Sequence, residues 1–399
     1  MSSRRRFLGG SLAALAVGLY ARRVRAAEER FLLVYWVKGG WDTTYCFDPH
    51  FDSDLVDRDP DSAPGTAGGI AFADSADRPA VREFFTEWGA KTAVINGLSV
   101  GSISHDVGTR LLLTGHPGTA GADLPTRIAA ASGGSLAVPH AVVSGPSFPG
   151  ASGALVTQFD DTLLAAARGE RPLPRDDERD SRIRAFLNAE VAASSDPRVA
   201  EWGQAAARLP TLRSFASGFG GGLAHEGDRV RLVAALFASG VSRTAILTGS
   251  VPQMAQWDSH VQNRDWQTRC YDLAFSNLTG LCRTLAGTAG SDGGSLLDRT
   301  CILVVSEMGR QPTENAQGGK DHWPTTSAML VGAGVSGGRV VGGTDATLVA
   351  RGLDRATGEA DDAAPLFGPD DLAATLALGF DVDPAELAPA GLALDAVWS

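Results

Sequence analysis

Residues 300–324 read TCILVVSEMGRQPTENAQGGKDHWP. The run 301–305 is apolar and β-branched, the pattern of a buried strand. It ends in Ser306 and the carboxylate of Glu307, and the Gly-, Pro- and Asn-rich segment that follows carries Arg310, Lys320, Asp321 and His322. Ionisable groups crowded past the end of a buried strand are the layout of an α/β active site, where a rigid sheet stands behind an open crevice.

The same arrangement recurs along the chain. FLLVYWV at 31–37 is a continuous apolar run suited to a central parallel strand, and KGGWD after it turns sharply to present Asp42. TAVINGL at 92–98 leads through a small-residue loop to Ser104-His105-Asp106, where a helix begins. A hydroxyl there either caps the helix or meets its free N–H groups as an anion site would; both readings of Ser104 stand, and His105 is ambiguous in the same way. SRTAILT at 242–248 is followed by WDSH at 257–260, where Asp258 and His260 at i and i+2 of an extended segment point to one side. Residues 135–144 and 326–334 complete the strands, and helical patterns cover 79–90, 229–239, 264–286 and 370–380. Residues 48–78 read as loop and 337–345 as a hairpin-rich tail. The fold class expected is α/β, a doubly wound and mainly parallel sheet. It forms one domain over 27–399, with a charged, Ala-rich helical insertion at about 155–228.

Ser3-Arg4-Arg5-Arg6-Phe7-Leu8 matches a twin-arginine export signature, followed by a modest apolar stretch at 8–20 and a small-residue site at Ala26. Residues 1–26 therefore read as a signal peptide, too short to span a bilayer comfortably. Its loss removes six arginines and no acid, taking the formal charge from −11 to −17. That charge argues against nucleic acid and anionic membrane surfaces as partners. Cys46, Cys270, Cys282 and Cys301 show no CxxC spacing and no disulfide framework.

Asp42, Asp258, His260, Glu307, Asp321 and His322 thus come from separate strand ends and form a candidate metal-ligand set. A mixed carboxylate and imidazole set suits a divalent ion, zinc first, with Mn²⁺, Mg²⁺ or Ca²⁺ as alternatives. Such an ion could activate water and polarise a phosphoryl or sulfuryl oxygen. Ser104 and His105 are then catalytic candidates, with Arg310 and Lys320 as clamps on developing negative charge.

The motifs GGWD, SHDVGTRLLLTG, WDSH, LLDRTCILVVSEMGR and GGKDHWP resemble the twin-arginine-exported family called domain of unknown function 1501, placed in the alkaline phosphatase/sulfatase superfamily. The resemblance spans roughly 31–344. It implies an alkaline-phosphatase-like fold with one or two metals at the strand ends, and export through the twin-arginine translocase to the periplasm or beyond. By that resemblance Asp42 is the first-strand metal carboxylate, Ser104 lies near the nucleophile position, and Asp258 with His260 matches the Asp/His metal pair. Glu307 falls at the strand-end carboxylate and His322 at the last metal histidine. Four departures accompany it: Met308 stands where a histidine usually follows the carboxylate, the Asp258–His260 spacing is narrow, the sulfatase Cys/Ser-x-Pro-x-Arg core is absent, and Ser104 is offset by one residue when Arg110 and Gly115 are set against the nucleophile segment. The function expected is metal-dependent hydrolysis of phosphate or sulfate esters in a small molecule or polymer. The alternative is an exported binding or assembly protein that keeps the fold and one structural metal.

Overall fold

The computed structural model describes residues 30–118, 121–131, 136–170, 177–290 and 293–399; the expected leader lies outside them. Phe31–Val37 (β1) is buried at every position, as its unbroken apolar run requires. Ser62–Ala67 (β2) and Ile70–Ser75 (β3) form an antiparallel hairpin within the stretch expected to be loop. Gly68-Gly69, both at positive φ, make the two-residue turn, and Phe72 packs on Phe85 with ring centroids 5.1 Å apart. The turn-forming composition of the surrounding stretch hid this hairpin.

Thr92–Ser99 (β4), His140–Val142 (β5), Val156–Gln158 (β6), Thr244–Thr248 (β7) and Thr300–Ser306 (β8) follow. Gly309–Arg310 (β9) pairs with His322–Trp323 (β10) in a two-residue ladder. Thr325–Gly332 (β11) and Arg339–Gly342 (β12) complete the set. The eight-stranded sheet runs β12-β4-β11-β8-β1-β7-β5-β6. β11 alone runs against its neighbours β4 and β8; the remaining pairings are parallel. Residues 339–342, expected in a hairpin-rich tail, instead form the sheet edge beside β4.

Successive residues of β1 enter different cores, as strand geometry demands. Leu33, Tyr35 and Val37 pack with Phe84, Phe237 and Phe275 from helices Pro79–Trp88, Glu226–Ala238 and Asn263–Gly287. Leu32, Val34 and Trp36 face Leu112, Ile128 and Leu376 from helices His105–Thr114, Leu124–Ala131 and Pro369–Gly379. Helices on both faces make the sheet doubly wound, the α/β class the sequence predicts. Between β6 and β7 lie the helices Asp161–Arg168, Asp177–Ala193 and Pro197–Gly218, where the helical insertion was expected. The four cysteines are free and buried. Among the described residues no helix is long and apolar enough to cross a membrane.

Candidate metal centre

One edge of the sheet collects the polar groups. β1, β4, β7 and β8 all end there, with Val37 beside Ser306 and Trp36 beside Thr248 in register. β11 is antiparallel, so its amino end lies at this same edge, Thr325 facing Ser99. Residues that precede β11 therefore arrive where the parallel strands leave, and the β9–β10 ladder sets His322 across from Arg310. Gly39 and Gly40 follow β1 at φ +122° and +84°, and a Cβ on Gly40 would lie 2.9 Å from Met308 Cγ and 3.1 Å from Arg310 Nη2. The turn thus needs glycine both for its conformation and for the guanidinium packed on it.

Three imidazoles converge on Asp258. His322 Nε2 is 3.0 Å and His260 Nε2 3.2 Å from Asp258 Oδ1, and His105 Nε2 is 3.3 Å from Oδ2. Each ring is held from behind through its other nitrogen. Nδ1 of His105 lies 2.8 Å from Glu307 Oε1, Nδ1 of His260 lies 2.8 Å from Asp321 Oδ1, and Nδ1 of His322 lies 2.7 Å from the Ile103 carbonyl. Carboxylates and carbonyls only accept, so each Nδ1 donates. In the neutral imidazole that leaves the Nε2 lone pair facing the cluster, and the two Nε2 atoms of His260 and His322 are 3.0 Å apart. Lone pairs aimed at one another and at a carboxylate call for a positive charge between them, a proton or a metal ion. Ligands bound at 2.0–2.1 Å in a tetrahedron stand about 3.3 Å apart, close to the spacing here. His105, Asp258 and His322 offer ligand atoms all within 4.8 Å of one another, a group that could hold a metal ion. Acceptors fixing the far nitrogen of each histidine are the outer-shell pattern of metal sites.

The electrostatics agree. Hydrogen bonds to Asp258 and then Glu307 raise the His105 pKa from its ordinary value to about 9, against the opposing effect of burial. Burial pushes the Asp258 carboxyl up, but hydrogen bonds from His105, Arg310 and His322 outweigh it and hold the group well below the usual carboxylate range. Burial lowers the Arg310 pKa, with Asp258 opposing. A divalent cation at the cluster would take over the charge that the His105 proton supplies.

The expected site residues do not all gather here. Asp258, His260, Glu307, Asp321 and His322 do, together with His105, which sequence reasoning placed among the catalytic candidates and not the ligands. Its Nδ1–Glu307 contact is possible because Gly108, one turn into the helix, lets the helix approach: a Cβ there would lie 2.6 Å from the Glu307 carbonyl oxygen. Asp42 sits apart, fully buried, with its carboxylate 2.9 Å from Lys320 Nζ, also fully buried. Arg310, expected to clamp substrate, is buried with its donors committed. Nε donates to Gly40 O at 2.8 Å, Nη1 to Lys320 O at 3.0 Å, and Nη2 to Asp258 Oδ1 at 2.7 Å and to Gly39 O. It positions Asp258. Ser104 holds the N-cap position of the helix, but its hydroxyl makes no capping bond and the residue is exposed.

A cleft of about 350 Å³ opens beside His105 and Glu307, lined also by Trp36, Lys38, Arg110 and Phe148. The Arg110 guanidinium lies 4.6 Å from the Phe148 ring centroid. Sequence reasoning passed over both cations, although signals existed. Lys38 directly follows β1, and Arg110 shares a helix face with His105, Asp106 and Thr109 at i, i+1, i+4 and i+5.

The sequence model of the family described as "Protein of unknown function (DUF1501)" matches residues 156–396, more than half of the chain. The chain belongs to that family. No curated protein matches its sequence. Among solved structures this family member is similar to the lipoteichoic acid synthase LtaP from Listeria monocytogenes, at 8% identity and TM-score 0.43, over 94% of this chain and 77% of that one. It is also similar to Ps i-CgsB in complex with k-i-k-neocarrahexaose, at 10% identity and TM-score 0.40, over 89% and 73%. A third likeness is to the PsFucS1 sulfatase from Pseudoalteromonas sp., at 11% identity and TM-score 0.36, over 96% and 74%.

Proposed function

We propose that this DUF1501 chain is a metal-dependent hydrolase of phosphate or sulfate esters, in a small molecule or a polymer. One observation carries the reading: three histidines, each fixed through Nδ1, turn their Nε2 atoms onto Asp258, and one of them, His105, also lines a cleft that presents Lys38 and Arg110. The residues fit a divalent ion, zinc first by donor type, with His105, Asp258, His260 and His322 holding it. With a fifth position open beside these four ligands, the bound ion would polarise an ester oxygen and lower the pKa of a water there. Lys38 and Arg110 attract and seat the anionic group of the ester. Glu307 orients His105, Asp321 orients His260, and Arg310 orients Asp258. The Ser104 hydroxyl, exposed one residue before His105, is the candidate nucleophile. The chain reaches its place of work through the twin-arginine translocase, outside the inner membrane; Arg4→Lys with Arg5→Lys should block export of a fused reporter.

A second reading is a non-catalytic exported binding or assembly protein. Three imidazoles and a carboxylate can close a four-coordinate shell, as structural sites do. Turnover of aryl phosphate and aryl sulfate by metal-loaded protein separates the two. The hydrolase reading expects turnover by the wild type and its loss in Ser104→Ala and His105→Ala variants that keep their near-ultraviolet circular dichroism. No turnover at any metal loading would sink it.

A further inference from the structure

The expected ligand set contains enough carboxylates for two ions, but the structure divides them. We infer that the centre holds a single metal ion and that the Lys320 ammonium supplies, from within the protein, the positive charge Asp42 would otherwise take from a second one. This deepens the metal-centre reading and rests on it.

The carboxylate of Asp42 has no acceptor position to spare. A carboxylate offers about four lone-pair sites. Oδ1 accepts from Thr44 N at 3.1 Å and Thr44 Oγ1 at 2.7 Å; Oδ2 accepts from Asn263 Nδ2 at 2.8 Å and faces Lys320 Nζ at 2.9 Å. Both charged side chains are fully buried, so water cannot balance either, and each is the other's counter-charge. A dication at Asp42 would have to displace these donors and sit beside the ammonium.

Lys320 is not free to swing aside. Its N–H donates to Ser259 O at 3.0 Å and its carbonyl accepts from Arg310 Nη1 at 3.0 Å, so the backbone on both sides of the side chain is pinned. Gln267 braces the same network, accepting from Asp42 N at 2.8 Å and donating to Ser259 Oγ at 2.9 Å. The pair, with Gln267 and Ser259, therefore ties the segments bearing Asp42, Asp258 and Lys320 to one another. The other two carboxylates are engaged as well. Glu307 Oε1 accepts from Gly39 N at 2.8 Å as well as from His105, and Asp321 Oδ1 from His260. Each holds a histidine through one oxygen, and the donors turned onto one point are those of His105, Asp258, His260 and His322.

The test is metal stoichiometry on full-length protein folded in the cell and saturated with zinc, read by elemental analysis and by anomalous scattering from crystals at the zinc edge. One equivalent is expected, with one peak among His105, Asp258, His260 and His322. The Asp42→Asn/Lys320→Met double variant, shown folded by circular dichroism, should still hold one. Two equivalents in the wild type with a second peak at Asp42 would overturn the one-ion inference and leave the centre standing. Loss of the ion from the folded double variant would also overturn it. No metal in the wild type would bring down the centre itself, and the inference with it.

Discussion

Two carboxylates, Asp258 and Asp42, each gather cationic partners a short way past a strand end, and they do opposite things. Asp258 is about one-third exposed and, besides the guanidinium of Arg310, is ringed by imidazoles, whose protons can leave. Asp42 is fully buried and held by an ammonium and amides whose protons stay. The residue types alone do not separate an exchangeable cation site from a permanent internal ion pair. What separates them is exposure, and whether the partner's charge can be handed to something else.

The comparison can be broken first on the buried side. Lys320→Ala leaves Asp42 charged and enclosed, and should lower unfolding stability by about 3–5 kcal/mol in urea melts. A loss below about 1 kcal/mol would mean that water or another group replaces the ammonium. On the open side, Glu307→Ala removes the acceptor that aims His105 and should weaken metal affinity by about 10–100-fold. Equilibrium competition with a chromophoric chelator measures this, and unchanged affinity would show that Glu307 does not orient a ligand.

Chelator-treated protein should show the exchangeable protons directly. The His105 pKa is raised to about 9. Its contribution to stability is therefore full below the unfolded value of about 6.5 and is lost as pH rises through about 9. With its partial exposure discounted, the fall is on the order of 1–2 kcal/mol. His105→Gln should flatten the profile across that window; a slope unchanged in that variant would assign the titration elsewhere. The smallest effect expected is in the cleft. Arg110→Ala and Lys38→Ala should each raise KM for an anionic ester by about 5-fold, equivalent to about 1 kcal/mol, with kcat little changed. A fall in kcat alone would place them in the chemistry instead.

The sheet was legible because its strands announce themselves. FLLVYWV and TCILVVS are buried on both faces and need no partner to be read as strands. The β2–β3 hairpin was not, since it lies within residues 48–78, whose Asp, Pro, Gly and Ser content is also that of loops. Nor was the edge strand Arg339–Gly342, whose partner β4 lies more than two hundred residues away. At the site, the sequence located the segments but not the roles. WDSH and KDH do meet, and His322 does face Asp258. Lys320 and Arg310 looked like substrate clamps because a sequence cannot show that a cation is buried against an internal carboxylate. His105 was ambiguous for the same reason, since its value as a ligand depends on Glu307, 202 residues away.

The most direct test is the number of imidazoles on the metal. Zinc-edge X-ray absorption of protein purified without chelators counts them through their multiple scattering. Three imidazole nitrogens with one carboxylate oxygen are expected in the wild type, falling to two imidazoles in a folded His105→Ala variant. A metal whose imidazole count does not change in that variant, or no bound metal at all, would contradict it.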